Sequence, residues 1–290
     1  SGLGNEAITL GDSGSVTVAN LNTLDAATSG TVNAATVTTL TGTSVQLNTL
    51  YASNGISGLG NEAITLSDSG SVTAAELNTI NAATTGLVTA TAVTNITGTA
   101  ADIATLMGNE GESGNKVNLD SDFTVTVDAG SVAAADLNTI SAKTTGLVTA
   151  TAATTITGTA TAINTLLSDE ADSGNGVNLD SDFLVTVASG SATAAHLNTI
   201  NSETTGLVTA TAVSNIIGTA SDINILIGNE ADSGNAVNLD TDFSVTVSAE
   251  STSAGHLNTI NSATTGLITA TAVTNITGTA ADIATLMGNE

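Results

Sequence analysis

Two hydrophobic rhythms alternate along the chain. In the first, every second residue is apolar: Phe123, Val125 and Val127 alternate with Thr124 and Thr126, and the series Phe183, Val185, Val187 and Phe243, Val245, Val247 repeat it. A period of two is that of a half-buried strand. The run Leu87-Val88-Thr89-Ala90-Thr91-Ala92-Val93 follows Gly86, is rich in β-branched residues and also reads as strand. In the early part of the chain the corresponding stretch is Ala63-Ile64-Thr65-Leu66.

In the second rhythm two aliphatic residues stand three apart behind a Thr-x-x-acid motif. Thr73-x-x-Glu76, Thr99-x-x-Asp102, Thr219-x-x-Asp222 and Thr279-x-x-Asp282 have the form of capping boxes, in which a hydroxyl bonds the amide three residues on and the acid reaches back. Each predicts a short helical turn, with Gly108, Gly228 or Gly288 as a left-handed cap. Such a turn is too short to stand alone, so it is expected to form a corner packed on its neighbours.

These patterns recur. Val-Asn-Leu-Asp begins at Val117, Val177 and Val237, and Leu-Asn-Thr begins at Leu21, Leu77, Leu137, Leu197 and Leu257. The whole of 1–290 therefore reads as one array of five units, approximately 1–56, 57–116, 117–176, 177–236 and 237–290. Each unit has a weaker half-repeat: Ala134-Ala135-Asp136-Leu137-Asn138-Thr139-Ile140 resembles Ala100-Ala101-Asp102-Ile103-Ala104-Thr105-Leu106. Two unequal rungs per unit is one partition, and three rungs of about 20 residues is the other. Proline is absent, which suits strands that donate on both edges of a parallel ladder. The expected fold is all-β: a β-solenoid, like a parallel β-helix of either hand, with short helical turns at its corners. The first and last units carry no distinct polar cap, so the array is expected to continue in a longer chain or to stack end to end.

Composition fits a thin, regularly stacked interior. Aromatic residues make up 1% of the chain, while hydrophobic residues, mainly small and aliphatic, make up 41%. A disordered acidic chain is poor in apolar residues, and this one is not. Twenty-seven acidic residues face only Lys116 and Lys143, a formal net charge of −25. That balance argues against nucleic acid and against anionic membrane surfaces, and it favours solubility and divalent cations. Without cysteine there are no disulfides or thiolate sites. No apolar run reaches the roughly 18 residues of a membrane span. The opening Ser1-Gly2-Leu3-Gly4 falls in mid-repeat, so any leader is expected to lie outside this stretch.

Three segments carry a resemblance: Ser57-Gly58-Leu59-Gly60-Asn61-Glu62-Ala63-Ile64-Thr65-Leu66, Asn81-Ala82-Ala83-Thr84-Thr85-Gly86, and Val93-Thr94-Asn95-Ile96-Thr97-Gly98-Thr99-Ala100-Ala101-Asp102. They resemble repeats of very large, low-complexity surface proteins of marine picocyanobacteria, and the resemblance makes fibres of viruses infecting such cells a second expected setting. The resemblance covers essentially the whole chain. It implies an extracellular or cell-surface location and a structural or adhesive role, and it brings no catalytic motif.

Several residue columns are candidates for chemistry. Glu110, Glu112, Asp120 and Asp122 lie close together in the chain, as do Asp172, Asp180 and Asp182, and Asp232, Asp240 and Asp242. Closely spaced carboxylates among Gly and Asn are the raw material of a calcium loop, so calcium is the one candidate cofactor. The calcium-binding nonapeptide and the EF-hand spacing are both missing, and the same acids also serve as turn formers. His196 and His256 share a column with Glu76 and Asp136, which marks an exposed polar position; no Ser/His/Asp triad can be assembled. Asn22, Asn78, Asn138, Asn198 and Asn258 are expected to form a structural ladder or backbone cap. Phe123, Phe183 and Phe243 are expected inside, and Thr89, Thr91 and Thr94 to face outward.

The expected function is therefore mechanical, not enzymatic: a stiff acidic spacer of an extracellular fibre, filament or giant cell-surface protein. Its expected partner is itself, by end-to-end stacking or lateral bundling, with a cell-surface or matrix partner beyond. A calcium-dependent adhesin repeat and a Thr-rich surface- or ice-binding array are the alternatives.

Overall fold

The computed structural model describes residues 4–170, 176–231 and 233–289. Among them, short parallel strands alternate with ten helices: α1 (Val18–Ala27), α2 (Ser44–Ala52), α3 (Ala74–Ala83), α4 (Ala100–Gly108), α5 (Ala134–Ser141), α6 (Ala160–Ser168), α7 (Ala194–Glu203), α8 (Ala220–Gly228), α9 (Ala254–Ala263) and α10 (Ala280–Gly288). About 33% of the protein is helical, so the class is α/β. This corrects the all-β, β-solenoid expectation. The predicted corner turns are helices of eight to ten residues. Threonine and asparagine are weak helix formers, which makes each segment look like a single turn. What sustains the helices is burial of the residues three apart: Leu77 and Ile80 on α3, and Ile103 and Leu106 on α4, are fully enclosed.

The caps are those predicted, but the stops are not. Thr99, Thr219 and Thr279 each accept from the amide of the acid three residues on, at 3.0–3.1 Å. The reciprocal box closes fully at Thr73–Glu76, and at Thr43–Gln46, where the sequence offers Gln in place of an acid. Gly108, Gly228 and Gly288 are the last residues of their helices and none has a positive φ. They are therefore not left-handed caps; the chain runs on through Asn109 at φ −98°.

The chain divides into two compact units. One comprises residues 1–128, 139–150 and 171–178. It contains a three-stranded sheet (Ile8–Thr9, Val32–Asn33, Ile56–Ser57) and two five-stranded sheets. The first of these is made of Ser15–Thr17, Thr39–Gly42, Ala63–Leu66, Val88–Thr89 and Val117–Asn118. The second is made of Ser71–Thr73, Asn95–Gly98, Thr124–Val127, Leu147–Thr149 and Gly176–Asn178. The other unit comprises residues 129–138, 151–170 and 179–290, with sheets of five, four and two strands.

Every described pairing is parallel and joins a strand to the next but one in sequence. Each crossover, or circuit, thus carries one helix and one strand of a different sheet. Ile64 pairs with Val88, Val88 with Val117, and Val125 with Val148, so a circuit takes 23 to 29 residues. In-register pairing stacks like on like. Leu40, Ile64, Val88 and Val117 form one buried file, and Val72, Ile96, Val125, Val148 and Val177 another. β-Branched side chains fit such a pleated, enclosed surface.

One strand expectation fails in detail. Leu87–Val93 is not a single strand: it pairs at Val88–Thr89, turns where the Val93 amide bonds the Ala90 carbonyl at 3.0 Å, and resumes at Asn95. The Phe123 series does alternate as predicted, with Val125 and Val127 buried and Thr124 and Thr126 exposed.

Candidate functional site

The most constructed feature is a Thr-x-Gly junction that follows the first helix of each unit. In the first compact unit the Thr84 hydroxyl donates to the main-chain carbonyl of Glu62 at 2.6 Å, while the Gly86 amide donates to Thr84 Oγ1 at 3.0 Å. Thr144 and Gly146 do the same on Phe123. In the second unit Thr204 with Gly206 closes on Phe183, and Thr264 with Gly266 on Phe243, both at 2.5 Å. The glycine is dictated by space: a Cβ at Gly86, Gly146, Gly206 or Gly266 would fall well inside contact distance of that same carbonyl. Thr84, Thr144, Thr204 and Thr264 are all buried.

The residue that receives the junction changes along the chain. Phe123, Phe183 and Phe243 are each at most 3% exposed, as expected for interior aromatics. In the same column stands Glu62, a carboxylate only 1% exposed. It survives burial because Gly60 and Asn61 donate amides to Oε2 at 2.7 and 3.0 Å and the Tyr51 hydroxyl donates to Oε1. Burial first, and then the bond to Glu62 and its charge, push the Tyr51 hydroxyl far above its ordinary value of 10.0. At Glu6, the earliest member of the column, amides of Glu6 and Gly4 hold the carboxyl below its ordinary range. Sequence reading missed this exchange of Glu for Phe. The shared Thr-x-Gly is the signal that would have aligned the two residues.

The acidic loops form no metal-sized cage among the described residues. Glu110, Glu112 and Asp120 line one shallow cleft with Phe123 and Lys143, and Lys143 Nζ lies 3.7 Å from Glu110 Oε2. The lysine places a cation where the calcium reading needs an empty anionic cage. Asp120, Asp180 and Asp240 accept the following residue's amide at 2.7–2.8 Å, which is turn chemistry. Asp122, Asp182 and Asp242 are exposed. Asp172 and Asp232 lie outside the described residues. Among the described residues no three acidic or histidine side chains converge on a metal-sized site.

The asparagine column binds helix to helix. Asn22, Asn78, Asn138, Asn198 and Asn258 donate Nδ2 to the carbonyl 24 residues on, at 2.9–3.1 Å, in the first turn of the next helix. They cap and tie backbone instead of forming an Asn–Asn ladder. The polar ladder lies elsewhere, on the outer face of the sheet: Asn95 Nδ2 donates to Ser71 Oγ, and Thr124 Oγ1 to Asn95 Oδ1, both at 3.0 Å. His196 and His256 supply the amides that Thr193 and Ser253 cap, at 3.2 and 3.1 Å.

Strand register also aligns threonines outward. Thr17, Thr41, Thr65 and Thr89 form one file ending at Asn118, and Thr73, Thr97, Thr126 and Thr149 form another ending at Asn178. Of the expected outward set only Thr89 belongs to a file; Thr91 and Thr94 are exposed between strands. No described helix is long and apolar enough to cross a membrane. Comparison with protein-family models, with curated proteins and with solved structures gives no match to this chain.

Proposed function

We propose that the chain is a structural repeat segment, an acidic spacer of an extracellular or cell-surface assembly that holds other parts at a distance and carries out no reaction on other molecules. One observation carries the reading. The Thr-x-Gly junction recurs once in each unit and fastens its circuit to the one before it through a buried threonine hydroxyl bonded to main chain. Its conserved geometry serves cohesion along the chain, while the acidic side chains are scattered. Within the array the apolar faces of successive circuits are enclosed: Leu77, Val88, Ile96, Leu106 and Met107 are all buried. Pulling the intact chain by atomic force is expected to release it in many small steps of about one circuit each. A single abrupt rupture of the whole chain would refute the spacer reading.

The aligned threonine files favour a second reading, in which this face adsorbs to an ordered solid. Replacing Thr41, Thr65 and Thr89 together by lysine would then abolish any inhibition of ice recrystallisation shown by the unaltered chain. Absence of inhibition in the unaltered chain removes ice as the solid.

A further inference from the structure

Between α2 and the strand Ile56–Ser57 the chain turns through Ser53, Asn54 and Gly55. The Gly55 amide donates to Ser53 Oγ at 2.9 Å, and the Ser53 hydroxyl donates in turn to Asp25 Oδ2, on the last turn of α1, at 2.7 Å. Asn54 itself is exposed. A Cβ on residue 55 would overlap Asp25 Oδ1, so any larger residue there would displace the Asp25 carboxylate from Ser53. The intact relay thus goes with an Asn-Gly step, in which the main-chain nitrogen has no side chain beside it to hinder the neighbouring carboxamide.

We propose that Asn54 is a site of self-modification, at which the Asp25–Ser53 relay converts Asn54 to aspartate and isoaspartate. The Gly55 nitrogen attacks Asn54 Cγ, forming a C–N bond. Its proton passes to Ser53 Oγ as the Ser53 proton passes to Asp25, the carboxylate acting as general base. The Cγ–Nδ2 bond then breaks and Nδ2 leaves as ammonia, carrying the proton that Gly55 gave up. Water opens the resulting imide at either carbonyl, giving aspartate or isoaspartate; no oxidant or cofactor enters. Isoaspartate adds a methylene to the main chain directly ahead of the strand that the site serves. The Gly55 carbonyl accepts the Val32 amide at 2.8 Å, and Val32 pairs with Ile56, so the three-stranded sheet receives the damage.

The test is to hold the intact folded chain at several pH values, label isoaspartate with an isoaspartyl methyltransferase, and map the labelled peptides. Asn54 is expected to react several-fold faster in the folded chain than in the same chain unfolded in urea. Ser53→Ala and Asp25→Asn are each expected to slow it several-fold and to restore direct proportionality to hydroxide, which the relay otherwise flattens. A variant that merely unfolds would move toward the urea rate and keep that proportionality in both arms. Equal rates and equal pH profiles in the unaltered chain and both variants, or a folded rate at or below the unfolded one, would overturn the proposal.

Discussion

The Thr204 hydroxyl reaches the main-chain carbonyl of Phe183, 21 residues earlier, at 2.5 Å, and its oxygen takes the Gly206 amide at 3.0 Å. One side chain therefore satisfies two backbone groups belonging to different circuits. Thr204→Val keeps the volume and removes both bonds, stranding a buried carbonyl and an amide. The expected loss is about 1–3 kcal/mol in urea unfolding. Thr204→Ser keeps the hydroxyl and is expected to lose less than half of that.

Gly206 and Gly228 make a contrast inside the same compact unit. A Cβ at Gly206 meets the Phe183 carbonyl, whereas nothing lies within 4 Å of one at Gly228, the last residue of α8. Gly206→Ala is expected to destabilise by at least as much as Thr204→Val, since backbone must move. Gly228→Ala is expected to be neutral or to stabilise by up to about 1 kcal/mol, because alanine is the better helix former. Paired urea melts decide it; equal effects would contradict the close approach.

Tyr51 is the only tyrosine and there is no tryptophan, so its ultraviolet absorbance reports on it alone. Its folded pKa is raised above the ordinary value of 10.0, chiefly by burial. The sign follows: the stabilisation is fully present below pH 10 and declines above it, because the unfolded chain releases a proton that the folded one retains. The tyrosinate band should therefore appear only as the region around Tyr51 unfolds in alkali, in step with lost circular dichroism. Smooth ionisation near pH 10 in a folded chain would show the hydroxyl to be open to water. Tyr51→Phe should weaken the fold at neutral pH, where Glu62 loses a donor.

Calcium should act on this chain as a general counterion. With Lys143 beside Glu110 and with Asp120, Asp180 and Asp240 engaged in turns, no loop is ready for a cation among the described residues. Millimolar calcium is expected to raise the melting temperature no more than magnesium at equal ionic strength, through screening of the −25 charge. A calcium-specific shift of several degrees would restore the metal reading.

What could be read from residues alone was whatever repeats. The strand phase of Phe123–Val127, the cap at Thr99 and the inward Phe column all follow from local spacing. The helix content did not, because Leu-Asn-Thr-Ile carries weak propensity and gains its helicity from burial of Leu77 and Ile80 by neighbouring circuits. The Glu62–Tyr51 pair was hidden for a different reason. Eleven residues separate two side chains whose meeting depends on a turn, and a lone glutamate in an acidic chain looks like one more solvated charge. The carboxylates close in sequence were ambiguous in the opposite way: Glu110, Glu112 and Asp120 do line one cleft, but Lys143 enters it and Asp120 is taken up by a turn amide.

Pairing each strand with the next but one has a kinetic meaning. Residues paired between the described strands are 23 to 29 apart, so the entropy of closing a circuit is nearly the same wherever along the chain it closes. Mean contact separation then stays constant as circuits are added, and relative contact order falls with length. Once one circuit has formed, its edge is a template on which the following segment closes without a long search. A chain built in this way is expected to fold progressively during synthesis, at a pace set by one circuit and nearly independent of how many circuits follow.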